Sequence, residues 1–184
     1  KVYERFQKDI VYTPYFKNGD HVKKGDVLLK IEASYPTLLK GERLSLNIFQ
    51  RMCGIATETA KYVKELAGTS TELLDTRKTT PTMRILEKYA VKTGGGTNHR
   101  IGLFDMILIK DNHVDFAGGI EQAVSRAKEY CKACGKDLKI EVEVRTLEDL
   151  QKVLDMGGVQ RIMFDNFDTD KTRKAVEMVA GRFE

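Results

Sequence analysis

The chain has 184 residues, of which 41% are hydrophobic and 32% are charged, a composition typical of a globular protein with its own core. No run of about 18 apolar residues is present, so we expect neither a membrane span nor a membrane partner. The net charge of +4 is too small to indicate a nucleic-acid partner. Three cysteines are too few for a disulfide framework and favour a reducing, cytoplasmic compartment. Within that set we interpret Cys131 and Cys134 as reduced thiols of a helix.

The positive charge is concentrated in one segment. Residues 77–110 contain seven Lys or Arg residues and two acidic ones, an excess larger than that of the whole chain. The rest of the sequence is nearly neutral. A basic segment of this kind indicates a site for an anionic ligand.

The first forty residues predict short antiparallel strands. Ile10–Phe16 and Val27–Ile31 are rich in β-branched and aromatic residues, and Asn18-Gly19 is a strong hairpin signal between them. A long helix is predicted from about Leu38 to Ala67, with Gly54 as a candidate kink. We therefore expect a partial N-terminal domain over residues 1–40 and a linking helical region over residues 41–70.

Strands and helices alternate from residue 72 onward. We predict strands at 72–76, 105–110, 138–144 and 161–165, and helices at 82–92, 120–133, 147–156 and 169–179. Such alternation indicates βαβ units and a parallel sheet, so residues 71–184 form an α/β domain. About four units are too few to close an eight-stranded barrel. Because the chain begins at Lys1 and ends just after a helix, we expect sequence to be missing at both ends.

Ionisable residues cluster where the predicted strands end, which is where α/β proteins place their active sites. The cationic or hydrogen-bond-donating candidates are Arg77, Lys78, His99, Arg100 and Lys110, and the acidic ones are Glu143 and Asp165. Fixed cations select a polyanion. Two carboxylates at successive strand ends are suited to Mg²⁺ or to ribose hydroxyls.

Other residues near these positions leave alternatives open. Gly94–Gly96 is compatible with a phosphate-binding loop or with a flexible connection. His113 is a candidate helix cap or loop anchor. Glu141 and Glu143 share one face of their strand, and an inward-facing carboxylate there needs a partner or a metal.

Several motifs in series resemble one known family. They are Asp75–Pro81, Glu87–Val91, Gly94–Arg100 and Lys110–His113, preceded by Glu42–Leu44 with Asn47 and Gly54–Thr57, and followed by Glu141–Val144 and Asp165–Phe167. Together they closely resemble the quinolinate phosphoribosyltransferase family, also called nicotinate-nucleotide pyrophosphorylase (carboxylating). The resemblance covers nearly the whole chain in the right order.

The resemblance implies a fold and an activity. The fold is an incomplete TIM-like α/β barrel preceded by part of a small α+β sandwich domain. The reaction is phosphoribosyl transfer from phosphoribosyl pyrophosphate to quinolinate with decarboxylation, which gives nicotinate mononucleotide, pyrophosphate and CO₂ in NAD biosynthesis. The implied cofactor is Mg²⁺, and the implied assembly is a homodimer, or a higher oligomer, with shared active sites.

The resemblance also implies roles for individual residues. Arg77, His99, Arg100 and Lys110 match residues that bind the quinolinate carboxylates, and Lys78 matches one that bridges substrate and phosphate. Glu143 and Asp165 match the carboxylates that hold the ribose hydroxyls and magnesium. Arg43 matches an arginine that reaches the active site of the neighbouring subunit. The implied catalytic residues are Lys78, Lys110, Glu143 and Asp165.

Two alternatives remain at this stage. A related phosphoribosyltransferase-like protein of the molybdate-transport type would differ in its carboxylate-binding residues. A biotinyl- or lipoyl-like module is suggested only by the Gly-Asp pairs Gly19-Asp20 and Gly25-Asp26, and no lysine lies at the tip of a suitable hairpin.

Overall fold

The computed structural model describes residues 1–184 and contains two compact units, Lys1–Ile101 and Gly102–Glu184. The division falls directly after the segment that carries His99 and Arg100. None of its helices combines the length and the apolar character that crossing a bilayer requires.

The first unit begins with a short 3₁₀ helix, Tyr3–Arg5, and an antiparallel pair of strands, β1 (Val11–Pro14) and β2 (Leu29–Glu32). The predicted strands are confirmed but shorter. Asn18-Gly19 does form a turn, closed by the Lys17 N–H donating to Asp20 Oδ2 at 2.7 Å. It is not a two-residue hairpin connection, because a second turn at Lys23–Asp26 lies in the same loop.

Two helices complete the first unit, α1 (Tyr35–Glu65) and α2 (Arg84–Thr93), and they pack against each other. Pro36 in the first turn of α1 suits the start of a helix, where its missing N–H costs no hydrogen bond. The helix continues through Gly54 without a break. The predicted strand at 72–76 is wrong: only one bridge forms, between Leu74 and Thr97, so the extended pairing does not propagate.

The second unit is a mixed α/β fold. Its strands are β3 (Ile107–Ile109), β4 (Ile140–Val144) and β5 (Arg161–Phe164), which form a parallel sheet in the order β3-β4-β5. Its helices are α3 (Asp111–Ala117), α4 (Ile120–Cys134), α5 (Leu147–Met156) and α6 (Thr169–Val179). The parallel sheet with intervening helices was predicted from the alternation and is confirmed. The helix α3 was not predicted.

One face of this sheet packs on the helices and forms the core. Val142 and Val144 of β4 are fully buried together with Val124, Leu150 and Val153 of the helices. Glu141 and Glu143 alternate with these valines and therefore lie on the opposite face of the sheet, as predicted. The core thus fixes which side of β4 carries the carboxylates.

Local sequence signals explain why several helices begin and end where they were predicted to. Thr146 and Asp168 accept hydrogen bonds from the N–H groups of Asp149 and Lys171, and so cap the starts of α5 and α6. Gly135 adopts a left-handed conformation (φ +61°) at the end of α4, which glycine does at little cost. Cys131 and Cys134 lie on α4 as free thiols.

Candidate active site

In the first unit, two chain segments carry four of the predicted site residues. Arg77 and Lys78 follow the Leu74 bridge, and His99 and Arg100 follow its partner Thr97. The bridge is parallel, and it is held by the Thr97 N–H donating to Leu73 O at 2.8 Å and the Asp75 N–H donating to Thr97 O at 3.2 Å. The two cation-bearing segments therefore leave this bridge side by side, in the same direction.

A buried ion pair joins these two segments. Lys88 of α2 donates to Asp75 Oδ1 at 2.5 Å and to the backbone oxygen of His99 at 2.9 Å. The side chains of Lys88 and Asp75 are only 4% and 7% exposed. The His99 N–H also donates to Asp75 Oδ1, at 2.8 Å, so both backbone polar groups of His99 are fixed by this pair.

Asn98 completes this network. Its side-chain amide donates to Asp75 Oδ2 at 2.7 Å and to the Lys88 backbone oxygen at 2.8 Å. Because the Asp75 carboxylate accepts from several donors, its burial is compensated. Asp75, Lys88 and Asn98 belong to the sequence motifs, but no role was predicted for them. A lysine on the inner face of an amphipathic helix was the one available signal.

Arg84 of α2 also connects the segment that carries Arg77 and Lys78 to the segment that carries His99 and Arg100, through a second set of hydrogen bonds. Its guanidinium donates to Thr79 Oγ1 at 3.3 Å, to the Arg77 backbone oxygen at 3.4 Å and to the Ile101 backbone oxygen at 3.2 Å. A planar guanidinium with its fixed fork of donors can bridge separate acceptors in this way. The backbone next to Lys78 and next to Arg100 is thereby tied to one side chain.

Arg51 of α1 anchors the far end of the Arg77–Thr80 segment. It donates to Glu87 Oε1 and to Thr80 Oγ1, each at 2.6 Å, and the Thr80 N–H donates to Glu87 Oε2 at 3.1 Å. Burial raises the pKa of Glu87, but the hydrogen bonds from Thr80 and Arg51 outweigh it, so the net pKa lies below the usual value. Glu87 is therefore held as a carboxylate.

The glycine run Gly94–Gly96 lies against α1. A Cβ at position 94 would collide with the Ala56 backbone oxygen, and one at position 96 would lie 3.0 Å from Thr59 Cγ2. Close packing on α1 therefore explains Gly94, and contacts with α1 and with Val91 of α2 explain Gly96. Gly95 has a left-handed backbone (φ +92°), which favours glycine. This packing adds a third explanation to the two that the sequence leaves open, a phosphate-binding loop and a flexible connection.

The site residues of the first unit differ in exposure. Arg77, His99 and Arg100 are half-buried, and Lys78 is exposed. The Arg77 Nε is buried and has no hydrogen-bond partner in the chain. Arg43 lies in the first half of α1 with its side chain exposed.

In the second unit, Lys110, Glu143 and Asp165 lie at the carboxyl ends of β3, β4 and β5. Lys110 and Glu143 follow the paired residues Ile109 and Val142, and their Nζ and Oε2 atoms are 3.7 Å apart. The Asp165 N–H donates to the Val144 backbone oxygen at 2.9 Å. The structure thus brings these three residues to one edge of the sheet, as the positions of the predicted strands indicated.

Two further sequence expectations are confirmed in the second unit. The Lys110 N–H donates to His113 Nδ1 at 3.0 Å, so His113 caps the start of α3. Glu141 is fully buried and lies 3.5 Å from Arg161 Nη1 across the sheet, so the inward-facing carboxylate has a cationic partner. Arg145, which follows β4, forms an ion pair with Asp115 of α3, in which Nη2 and Oδ1 are 3.3 Å apart.

No group of three or more His, Cys, Asp or Glu side chains is arranged so that it could hold a metal ion by itself. Glu143 is 11% exposed and Asp165 is half-buried. They can supply at most two carboxylates from neighbouring strand ends. Such a set fits a hard cation that takes its remaining ligands from substrate and water, as Mg²⁺ commonly does.

Comparison with known families agrees with this arrangement. Residues 1–53 match the N-terminal domain of quinolinate phosphoribosyl transferase, and residues 55–184 match its C-terminal domain. Together the two matches cover nearly the whole sequence. The chain therefore belongs to the quinolinate phosphoribosyl transferase family.

Individual relatives support the same assignment. The chloroplastic nicotinate-nucleotide pyrophosphorylase [carboxylating] of Arabidopsis thaliana is 44% identical over 182 residues, which is 91% of this chain and 52% of that protein. A probable nicotinate-nucleotide pyrophosphorylase of Bacillus subtilis is 46% identical over 157 residues, which is 85% of this chain and 53% of that protein. The chain thus spans about half the length of the curated relatives it matches.

Solved structures resemble the chain over nearly its entire length. NadC from Streptococcus pyogenes superposes with a TM-score of 0.89 at 38% identity, covering 99% of this chain and 64% of that one. Nicotinate-nucleotide pyrophosphorylase from Francisella tularensis gives a TM-score of 0.89 at 38% identity, covering 98% and 62%. The family resemblance seen in the sequence is confirmed.

Proposed function

We propose that the whole protein transfers a phosphoribosyl group from phosphoribosyl pyrophosphate to quinolinate and releases CO₂, giving nicotinate mononucleotide and pyrophosphate for NAD biosynthesis. The observation that carries this proposal is the pair of adjacent segments bearing Arg77, Lys78, His99 and Arg100 in a chain of this family. The substrate is a dianion at neutral pH, and this local set of donors suits it.

The cations of the first unit bind the carboxylates of quinolinate. Arg77 and Arg100 can each present two parallel N–H groups to one carboxylate, while Lys78 acts as a point charge. His99 contributes a ring N–H. Because Arg77, His99 and Arg100 are half-buried, their interaction with the ligand is screened less than that of exposed charges.

The two strand-end carboxylates of the second unit bind phosphoribosyl pyrophosphate. Glu143 and Asp165 accept hydrogen bonds from the ribose hydroxyls and would hold Mg²⁺ together with phosphate oxygens of the substrate. Bound Mg²⁺ supplies charge neutralisation for the pyrophosphate leaving group. Lys110, whose Nζ lies 3.7 Å from Glu143 Oε2, contributes a positive charge to the carboxylates of quinolinate.

The reaction needs no side-chain nucleophile. The pyridine nitrogen bonds to C1 of the ribose while the bond from C1 to pyrophosphate breaks. The bond from ring C2 to its carboxylate then breaks, CO₂ leaves, and the electron pair remaining on C2 takes up a proton. Lys78 and Lys110 stabilise the developing negative charge, so catalysis is mainly positioning and electrostatics.

We also propose a quaternary and domain arrangement for the whole protein. The parallel sheet of residues 107–164 is part of a TIM-like barrel within an α/β domain at 71–184. This domain follows a partial sandwich domain at 1–40 and a linking region at 41–70.

The protein is a homodimer or higher oligomer in which Arg43 serves the active site of the neighbouring subunit. The exposed position of Arg43 on α1 supports this role. The cytoplasm remains the predicted compartment.

Turnover by the whole protein tests the proposed reaction. With quinolinate, phosphoribosyl pyrophosphate and Mg²⁺, we expect pyrophosphate and CO₂ to be released in equal amounts. Nicotinate in place of quinolinate should release neither. Release of pyrophosphate without CO₂, or equal rates with both pyridines, would contradict the proposal.

A further inference from the structure

Helix α2 presents two cationic side chains to the loops beside it, Arg84 and Lys88. They are four residues apart and therefore lie on one face of the helix, one turn apart. Lys88 is almost fully buried and Arg84 is half-buried. Neither residue belongs to the set of cations assigned to the substrate, so their positions need a separate explanation.

Both side chains connect the same two segments. Lys88 links the Asp75 carboxylate to the His99 backbone oxygen. Arg84 links the Arg77 backbone oxygen and the Thr79 hydroxyl to the Ile101 backbone oxygen. One turn of α2 thus forms two cross-links between the segments.

The linked atoms bracket the cations. Lys78 lies between Arg77 and Thr79, both of which accept hydrogen bonds from Arg84. Arg100 lies between His99, held by Lys88 and Asp75, and Ile101, held by Arg84. The residues on both sides of these two cations are therefore held by α2 and its partner Asp75, through backbone atoms except at the Thr79 hydroxyl.

Burying a lysine is costly unless its charge and its donors are matched. A buried ion pair that also bonds to the backbone of a cation-bearing residue fixes the position of that residue. Here both partners do so: Lys88 bonds to the His99 oxygen and Asp75 to the His99 N–H. This geometry sets the position of His99 relative to the segment that begins at Asp75.

We propose that Arg84 and Lys88 are positioning residues that fix the spacing between the Arg77–Lys78 pair and the His99–Arg100 pair. The spacing selects ligands with two carboxylates on neighbouring ring atoms over ligands whose carboxylates are farther apart. This inference rests on the proposed function, in which these cations bind quinolinate. The residues act through the cations and do not touch the substrate.

The test measures ligand selectivity in the whole protein. Binding of pyridine-2,3-dicarboxylate and of pyridine-2,6-dicarboxylate is titrated by calorimetry, and the ratio of the two affinities is compared between variants. We expect Lys88→Met to lower this ratio by about 10- to 100-fold, since misplacement by about 1 Å can cost that much. The control is Lys92→Met, which replaces an exposed lysine one turn further along α2. This variant should keep the affinity ratio of the unchanged protein.

A second variant covers the case in which Lys88→Met does not fold. Arg84→Gln removes the cross-link to neutral acceptors and leaves no lone buried charge, so it should fold and still lower the ratio. If folded variants lose thermal stability but retain the original ratio, the two residues are structural only and the inference is wrong. If the unchanged protein itself shows no preference for the 2,3-isomer, the proposed function fails instead.

Discussion

Arg100 lies between two backbone positions that the protein holds in place, His99 and Ile101. This arrangement suits a side chain that must meet a small dianion in one orientation. Replacing Arg100 with Ala should weaken quinolinate binding by roughly 2–5 kcal/mol, the usual loss when one partner of a desolvated charge pair is removed. Calorimetric titration measures the loss.

The matched control for this change is Arg126→Ala, which removes an exposed arginine from α4. It should leave quinolinate affinity unchanged. An Arg100→Ala protein that is folded and binds quinolinate as tightly as before would remove Arg100 from the site.

Asp165 ends β5, a strand of mostly apolar residues, directly beside the end of β4. Changing it to Asn keeps the size of the side chain but removes the charge that a magnesium–pyrophosphate complex requires. We expect Asp165→Asn to lower turnover and raise the KM for phosphoribosyl pyrophosphate, with little effect on quinolinate binding. Steady-state kinetics at several Mg²⁺ concentrations check this expectation.

Asp137→Asn is the corresponding control, since that aspartate is exposed in the loop before β4. Should Asp165→Asn keep both its activity and its magnesium dependence, the role of Asp165 would be structural.

At the scale of elements, helix α2 carries much of the organisation of the first unit. Its Glu87 joins α1 to the loop that follows the Leu74 bridge, through Arg51 and Thr80. Its Arg84 and Lys88 join that loop to the segment that carries His99. The helix is short, Arg84–Thr93, yet it contacts both segments that carry Arg77, Lys78, His99 and Arg100.

The pKa of Glu87 gives a pH prediction for the stability of this unit. Burial raises that pKa, but the hydrogen bonds from Thr80 and Arg51 lower it further than burial raises it. A carboxyl group whose pKa is lower in the folded state stabilises the protein fully above its unfolded pKa. That stabilisation is lost as pH falls below about 4.5 toward the folded pKa.

Glu87→Gln should therefore reduce stability at neutral pH by about 1–3 kcal/mol and flatten its decline below about pH 4.5. Denaturant unfolding across this pH range measures both effects. Glu58→Gln, which breaks only an exposed pair with Lys61, should change stability by less than about 1 kcal/mol. Identical pH curves for Glu87→Gln and the unchanged protein would contradict the assignment.

Elements with complete local signals were predicted closely. The spans of α5 and α6 agree with the sequence prediction because Thr146 and Asp168 cap them and their apolar residues recur at helical spacing. The helix α3 was missed because it is short and begins after Lys110, which is not a usual capping residue. The strand at 72–76 was overestimated because only Leu74 has a pairing partner, Thr97, and no ladder extends from that bridge.

The site was predicted more fully than the network that supports it. Strand ends carry Lys110, Glu143 and Asp165, so their proximity follows from the alternation of strands and helices. The pairing of Asp75 with Lys88 depends on burial and on the packing of α2 against a loop. Helical spacing places Lys88 on the inner face of α2, but it does not identify Asp75 as the partner of Lys88.

At the scale of the whole molecule, the proposed dimer makes Arg43 the most informative residue. If it serves the neighbouring subunit, Arg43→Ala and Lys110→Ala proteins should each be nearly inactive. Mixed and allowed to exchange subunits, they should recover activity, since each heterodimer then contains one intact site. Activity assays on the mixture, with exchange confirmed by mass spectrometry, measure the recovery.

Two outcomes separate the alternatives for Arg43. A mixture no more active than its parents, after confirmed exchange, would mean that Arg43 and Lys110 serve the same subunit. An Arg43→Ala protein with full activity would make Arg43 an ordinary exposed charge of α1.

The central claim is that this protein recognises a pyridine with two adjacent carboxylates. Calorimetric titration of the whole protein with quinolinate and with nicotinate tests this claim most directly, because the two ligands differ by a single carboxylate. Loss of one charge-assisted contact should weaken nicotinate binding by about 2–5 kcal/mol relative to quinolinate. A clear preference for nicotinate, or equal affinity for both, would contradict the account.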